Sequence, residues 1–142
     1  MNGARRCVLP AGLSCLPRLI AFVEEFCDAH HIAANDRLRL TLIAEELFTN
    51  TATHGLRGSG AGEVRIALDA EATRVTMSFE DSAPAFDPLA HLDASLADLD
   101  APPERRRIGG FGLALVARMA DRISYARDEG WNRLTLSLAR GR

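Results

Sequence analysis

Residues 45–55 of the chain read EELFTNTATHG and follow a run of helix-forming, largely apolar residues. Within this stretch Glu46, Asn50 and His54 recur at a spacing of four. At about 100° per residue, an α-helix places these three side chains within a sector of roughly 80°. Apolar residues fall in or beside the same sector, so we expect the polar stripe to lie on the core side of the helix.

A carboxylate buried on that stripe would cost several kcal/mol of folding free energy unless a partner compensated its charge. The nearest cation on the same arc is Arg39, two turns earlier. Two interpretations therefore stay open. Glu46 belongs to a salt bridge or a capped helix end, or the stripe borders a cleft in which a cation and an anionic ligand provide the compensation.

The rest of the sequence predicts an α+β domain, because its helical and strand periodicities are segregated and the strands are largely antiparallel. The first predicted elements are a short strand at 5–9 and a helix at about 14–30. A second helix runs from an N-cap at Asn35 or Asp36 to about His54 and is closed by Gly55. Strands follow around 64–68 and 75–79, then a possible short helix around 89–99, a helix after 112, and strands around 123–125 and 134–138 joined by a hairpin turn at 128–130. This order predicts a two-layer α/β sandwich. Its sheet is mixed and mainly antiparallel, and about three helices cover one face.

The composition indicates an ordinary globular protein. The 142 residues suffice for one domain, 1–142, and 47% of them are apolar and 25% charged. A net charge of −2 disfavours a nucleic-acid partner. The three cysteines lack C-x-x-C spacing, which predicts reduced thiols. Prolines and charges interrupt the apolar residues near the start, so we expect neither a leader peptide nor a membrane span, and a cytoplasmic location.

Two further motifs lie outside the second helix. Gly109, Gly110 and Gly112 precede a predicted helix, so free backbone N–H groups and the positive end of the helix dipole would face one point suited to a phosphate. The run lacks the G-K-[ST] of a P-loop, and no strand directly precedes it as in a dinucleotide fingerprint. Asp81 ends a predicted strand, where it is either a turn former or an acceptor for an exocyclic amine such as that of adenine.

Three motifs occur together here: E-x-x-x-N on a helix, D-x-x-x-x-F-D-P after a strand, and I-G-G-x-G-L before a helix. Their order and spacing resemble the GHKL ATPase superfamily, which has the Bergerat fold. Within it the chain looks most similar to the anti-sigma factor serine/threonine kinases, the switch-protein kinases of bacteria. The resemblance extends from Leu9-Pro10-Ala11 to the terminal N-R-L-T-L. It implies one histidine-kinase-like ATPase domain with a mobile ATP lid at about 82–111.

The resemblance also implies a role for each matching position. Asn50 would ligate Mg²⁺ and bridge it to the phosphates of ATP, and Glu46 would be the general base for the attacking hydroxyl. Asp81 would bind the adenine amino group. His54 lies near the nucleotide in this pattern or is a buried structural histidine. The implied nucleotide-binding residues are Asn50, His54, Asp81, Ala83, Ile108, Gly109, Gly110, Phe111, Gly112 and Leu113.

Some positions depart from the family pattern or stay open. Ala83 stands where the family usually has glycine, and it would crowd the adenine if that position needs a positive φ. Asn132, Arg133 and Thr135 are all candidates for the family's adenine-side threonine. The run Arg105–Arg107 either reaches the phosphates or forms a solvated lid or a partner-binding patch.

The function that the resemblance implies is an ATP-dependent protein serine/threonine kinase that regulates transcription by partner switching. It would phosphorylate a STAS-type anti-sigma factor antagonist and hold a sigma factor inactive, and a homodimer is plausible by resemblance. The presence of both Glu46 and Asn50 favours catalysis. Two alternatives stay open: a non-catalytic ATP-binding module that sequesters a protein partner, and a regulator whose partner is not a sigma factor. No membrane partner is expected.

Overall fold

The computed structural model describes residues 4–55, 62–85 and 111–141. Its elements are strand β1 (Arg5–Pro10), a 3-10 turn (Leu13–Cys15), helices α1 (Leu16–Ala29) and α2 (Ala34–Asn50), a π-helical turn (Thr51–Gly55), strands β2 (Glu63–Ala70) and β3 (Arg74–Asp81), helix α3 (Phe111–Met119), and strands β4 (Arg122–Asp128) and β5 (Trp131–Ala139). The predicted order of elements is confirmed. The possible short helix around 89–99 lies outside the described residues, and none of the described helices is long and apolar enough to cross a membrane.

The described strands form one antiparallel sheet in the order β1-β2-β3-β5-β4. Alternate residues of each central strand are buried, as the alternating sequence predicted. Leu68 of β2 pairs with Met77 of β3, which in turn pairs with Leu136 of β5, and all three are fully buried. Because facing pairs share a side of the sheet, these rows make one continuous apolar face.

A single hydrophobic core lies between that face and the helices. It includes Phe26 of α1, Phe48 of α2 and Val116 of α3, all fully buried together with the apolar strand residues. Burying a side chain of this size contributes about 1.5–3 kcal/mol relative to leaving it exposed. The core therefore holds the three described helices on one side of the sheet, and the predicted two-layer sandwich is confirmed.

The start of α2 differs from the prediction. Ala33 is the N-cap and makes no side-chain capping bond, so the prediction of Asn35 or Asp36 as N-cap is wrong. Asp36 is buried inside the first turn, where its carboxylate accepts hydrogen bonds from Arg39 Nη2 at 2.8 Å and from the backbone N–H of Gly141 at 2.9 Å. Because the Asp36 carboxylate bonds Arg39 and Gly141, it does not cap the backbone N–H groups at the start of α2.

The predicted hairpin turn between β4 and β5 is confirmed. Glu129 and Gly130 form a two-residue loop, and their φ angles are 47° and 86°. Two positive φ angles in succession are characteristic of a type I′ turn, whose twist matches that of the flanking strands. The turn places β4 beside β5, and in the strand order β4 is the last of the described strands.

Candidate functional site

The second half of α2 carries Glu46 and Asn50 on successive turns. Both side chains are half-buried, and Leu47 between them is buried in the core. The two polar groups therefore line the border of the buried face, as their spacing predicted. Among the described residues neither side chain has a hydrogen-bond partner, and Arg39 pairs with Asp36 instead of Glu46. A carboxylate and an amide thus lie one turn apart on the same side of α2.

The helix does not end as a regular α-helix. A π-helical turn spans Thr51–Gly55 and includes His54. A π turn has i→i+5 hydrogen bonds and a wider turn than an α-helix, and such turns are frequent at functional sites. The spacing of four that joins Glu46 to Asn50 therefore does not extend to His54 in the same geometry. The His54 side chain lies outside what the structure describes.

The first residue of the π turn connects α2 to the end of β3. Thr51 is buried, and its hydroxyl donates a hydrogen bond to Asp81 Oδ2 at 3.0 Å. Because Thr51 directly follows Asn50, this bond brings the end of α2 next to the carboxylate at the end of the strand. The sequence motifs did not point to Thr51, whose only signal was its position after Asn50.

Ala83 fits the turn that follows Asp81. Its backbone N–H donates to Asp81 Oδ1 at 3.1 Å, a turn closed by the aspartate side chain. Among the described non-glycine residues only His31 and Glu129 have a positive φ, so Ala83 adopts an ordinary backbone conformation. The crowding expected from a positive φ at this position therefore does not arise, and the alanine side chain is buried.

Asn132 of β5 lies directly opposite Asp81 in the sheet. Its Nδ2 donates to Asp81 Oδ1 at 2.9 Å, and it also lies 3.2 Å from the carbonyl oxygen of Ala83 and 3.1 Å from that of Pro84. The amide is buried. It therefore connects the carboxylate to the backbone that follows it.

The other two candidates on β5 lie on the opposite face of the sheet. Successive strand residues point to opposite faces, so Arg133 and Thr135 share the side away from the helices. Arg133 forms ion pairs with Glu80 at 2.9 Å and Asp128 at 3.3 Å. The hydrogen bond to Glu80 raises the pKa of the Arg133 guanidinium. Of the three candidates, the structure places only Asn132 against Asp81.

Two β4 side chains contact Asn132 from its other side. Tyr125 OH donates to Asn132 Oδ1 at 2.6 Å, and Arg127 Nη1 donates to the same oxygen at 3.2 Å. Arg127 Nη1 also donates to the Ala83 carbonyl at 2.9 Å. The sequence analysis missed both residues. The pattern that could have revealed them is the alternation of Ile123, Tyr125 and Arg127 along β4. It places a cation on the same face of the strand as the apolar residues.

The glycine run lies mostly outside the described residues. Residues 86–110, which include Arg105–Arg107 and most of the expected lid, are not described. Residues 111–113 form the first turn of α3, although their side chains are not described. The predicted helix is therefore confirmed, but it begins at Phe111 and includes Gly112, which was expected to precede it. Helix α3 packs against α2.

Arg39 connects the far end of α3 to the rest of the domain. Its guanidinium donates to the carbonyl oxygen of Met119 at 3.1 Å and to that of Ala139 at 2.7 Å, in addition to Asp36. Burial acts to raise the pKa of Asp36, but the hydrogen bonds from Arg39 and the Gly141 N–H outweigh it and lower that pKa. One buried ion pair thus joins α2, α3 and β5.

The model of the histidine kinase-like ATPase domain family matches residues 9–138 of the chain. The chain is also similar to the serine/threonine-protein kinase BtrW of Bordetella bronchiseptica, with 33% identity over 115 residues. That match covers 75% of this chain and 78% of BtrW.

Two solved structures of the catalytic domain of the histidine kinase ThkA, both nucleotide-free, have a similar fold. Their TM-scores are 0.55 and 0.53, at sequence identities of 14% and 13%. The similarity covers 96% of this chain in both cases, and 96% and 98% of the two ThkA chains. At these identities the likeness concerns the fold: an antiparallel five-stranded sheet with three helices.

Proposed function

The chain belongs to the family of histidine kinase-like ATPase domains, and on that basis we propose that it is an ATP-dependent protein serine/threonine kinase. Its proposed substrate is a small STAS-type anti-sigma factor antagonist, and its second partner is a sigma factor that it holds inactive. The similarity to a protein named as a serine/threonine kinase, over three quarters of the chain, supports this proposal.

The hydrogen bond between Thr51 and Asp81 is the observation that carries the proposal. Glu46 and Asn50 lie one turn apart on α2, and Thr51 follows Asn50 directly. The bond at 3.0 Å fixes the end of α2, the helix that carries the acid and the amide, against the end of β3 that carries Asp81. These are the groups that a phosphoryl transfer from ATP requires: a proton acceptor, a metal ligand and an adenine ligand.

The oxygen donors on α2 fit a magnesium nucleotide. An amide oxygen is a hard ligand, and Mg²⁺ takes few protein ligands because it keeps several waters. Mg²⁺, when bound, would neutralise charge on the phosphates. In the proposed reaction Asn50 holds the metal, Glu46 accepts the proton of the substrate hydroxyl, and Asp81 accepts a hydrogen bond from the adenine amine.

Transfer of labelled γ-phosphate from ATP tests the kinase activity. The acceptors are the purified STAS-type proteins of the source organism, each assayed separately with the wild type, Glu46→Gln and Glu45→Gln. We expect Glu46→Gln to lower the transfer rate about 10²- to 10⁴-fold with ATP binding retained, because it removes the proton acceptor. Glu45→Gln makes the same chemical change about 100° around the helix, and its rate should stay near that of the wild type.

The alternative function is a non-catalytic ATP-binding module that sequesters a protein partner. The half-buried Glu46 beside Asn50 argues against it, because sequestration needs neither group. If the wild type binds ATP and transfers no phosphate to any acceptor, the sequestering module is the correct function. Affinity isolation from the native cell, with and without ATP, then identifies the partner and shows whether it is a sigma factor.

A further inference from the structure

The described neighbours of Asp81 occupy most of its acceptor capacity. A carboxylate offers about four hydrogen-bonding positions. Oδ1 accepts from the Ala83 N–H at 3.1 Å and from Asn132 Nδ2 at 2.9 Å, and Oδ2 accepts from the Thr51 hydroxyl at 3.0 Å. All three partners donate, so Asp81 retains one acceptor position, on Oδ2, and offers a ligand no donor.

The amide of Asn132 has one orientation that satisfies Asp81, Ala83, Tyr125 and Arg127, four of its neighbours in the described part of the chain. The Arg127 guanidinium has no acceptor, so the Asn132 atom that faces it must be the oxygen. Asp81 and the Ala83 carbonyl have no donor, so the NH₂ group must face them. The Tyr125 hydroxyl adds a second donor to the same oxygen at 2.6 Å. A side chain at this position therefore needs a donor on one side and an acceptor on the other.

We propose that Asn132, oriented by Tyr125 and Arg127 of the edge strand, is the positioning residue that makes the site selective for 6-aminopurine over 6-oxopurine nucleotides. The proposal rests on the nucleotide-binding role proposed above for Asp81. With the Asn132 NH₂ on Oδ1, the open Oδ2 position accepts a hydrogen bond from a 6-amino group.

A 6-oxo group would bring a second acceptor against Asp81, and neither oxygen would have a donor. An unpaired buried polar group is costly, and its cost corresponds to a preference on the order of 10- to 100-fold. Asn132 itself has both ends of its amide engaged within the protein, so it acts through Asp81 and not by touching the base. A residue that only filled space beside the purine would instead touch the base directly.

Dissociation constants of ATP and inosine triphosphate, measured by calorimetry, test this role. Inosine triphosphate carries an oxygen in place of the 6-amino group. We expect the wild type to bind ATP on the order of 10- to 100-fold more tightly. Asn132→Asp keeps the size but places an oxygen against Asp81, so the preference should fall by about tenfold or more, through weaker ATP binding.

Thr135→Val is the matched control, because it changes the same strand on its opposite face and should leave the preference unchanged. A residue that only supports the fold would, when replaced, weaken both nucleotides alike and preserve their ratio. An unchanged ratio in Asn132→Asp therefore overturns the proposal.

The double variant Tyr125→Phe with Arg127→Met serves if Asn132→Asp does not fold. It removes both donors to the Asn132 oxygen and keeps most of the apolar side-chain volume, so only the acceptors on the NH₂ side still orient the amide. We expect a smaller fall in the preference for ATP, and a wild-type ratio contradicts the proposal.

A wild type that binds neither nucleotide overturns the proposed function as well. A wild type that prefers ATP, with variants that retain its preference, overturns only the role of Asn132.

Discussion

Asp36 is a carboxylate that the fold buries, with its side chain only 3% exposed. Arg39 and the Gly141 N–H compensate the loss of its hydration, and Arg39 also holds the carbonyl groups at the ends of α3 and β5. Removing one member of such a pair leaves the other charge buried and unpaired, which costs more than the pair itself contributes. Asp36 is therefore a residue on which the packing of α3 against α2 depends.

Asp36→Asn should lower the free energy of unfolding by about 3 kcal/mol at pH 7, since Arg39 loses its counter-charge. The pKa of Asp36 is lowered in the folded state. Its stabilisation is therefore fully present above the unfolded-state pKa near 3.9 and disappears as pH falls through the folded-state pKa. Urea denaturation at pH 7 and pH 3 should show the gap between wild type and variant narrowing at the lower pH.

Asp28→Asn is the control for that prediction, because Asp28 also pairs with an arginine but its side chain is 69% exposed. It should change stability little at either pH, as expected for a surface pair. An equal loss in Asp36→Asn at both pH values would mean that the carboxylate charge is not what stabilises the fold.

The sequence predicted the wrong role for Asp36, but it predicted correctly that Glu46 and Asn50 lie at the buried side of α2. An Asn-Asp pair before an apolar run is the ordinary sign of an N-cap. The Gly141 N–H that occupies Asp36 lies 105 residues further along the chain, so no local pattern reveals it. Glu46 and Asn50, in contrast, owe their arrangement to a single helical turn.

At the scale of elements, the Thr51 hydroxyl joins the end of α2 to the end of β3. Thr51→Val keeps the shape and removes the donor to Asp81 Oδ2, so we expect stability to fall by about 1 kcal/mol and ATP to bind several-fold more weakly. Calorimetric titration and denaturant unfolding measure the two effects. Thr53→Val is the control, because in the described structure the Thr53 hydroxyl bonds only the Thr49 carbonyl, four residues earlier in the chain. Equal losses of ATP affinity would exclude a specific role for the Thr51–Asp81 bond.

The backbone of the β4–β5 hairpin is unfavourable at Glu129. This residue has a φ of 47°, a left-handed conformation that residues other than glycine, asparagine and aspartate disfavour. Glu129→Asn produces the Asn-Gly pair typical of type I′ turns, and should stabilise the protein by about 0.5 kcal/mol. A thermal melt would show this as a rise of one or two degrees, on the scale expected for a domain of this size. Glu129→Ala removes the same charge without favouring positive φ, and an equal rise there would assign the effect to charge.

Periodicity predicted the helices and strands, but not two features on which the site depends. The hydrogen bonds of a π turn span five residues and those of an α-helical turn span four, and the sequence of 51–55 does not distinguish them. The register between β3 and β5 depends on strands about fifty residues apart in the chain. The sequence therefore could not decide which of Asn132, Arg133 and Thr135 lies beside Asp81. The pairing of Asn132 with Asp81 resolves that choice because one register puts alternate residues on opposite faces.

At the scale of the whole molecule, a ligand that binds only the folded chain should stabilise all of it. ATP with Mg²⁺ at about 100 times its dissociation constant would add about 2.7 kcal/mol. Asp81→Asn should respond much less at the same nucleotide concentration, because the proposed acceptor for the adenine amine is lost. The measurement is the change in melting temperature on adding nucleotide, so each variant is its own reference.

Asp69→Asn, in the neighbouring strand β2, is the control for a general effect of removing an aspartate from the sheet. Its response to nucleotide should match that of the wild type. A full response in Asp81→Asn would show that adenine binds elsewhere in the fold.

Trp131 and Tyr125 are the chain's single tryptophan and single tyrosine. Trp131 immediately precedes Asn132, and the Arg65 guanidinium lies 3.5 Å from the centre of its ring. Intrinsic tryptophan emission of the unlabelled protein therefore arises from one position, next to the residue that contacts Asp81. Changes at the start of β5 are open to direct optical detection, with no dye attached and no reporter residue introduced.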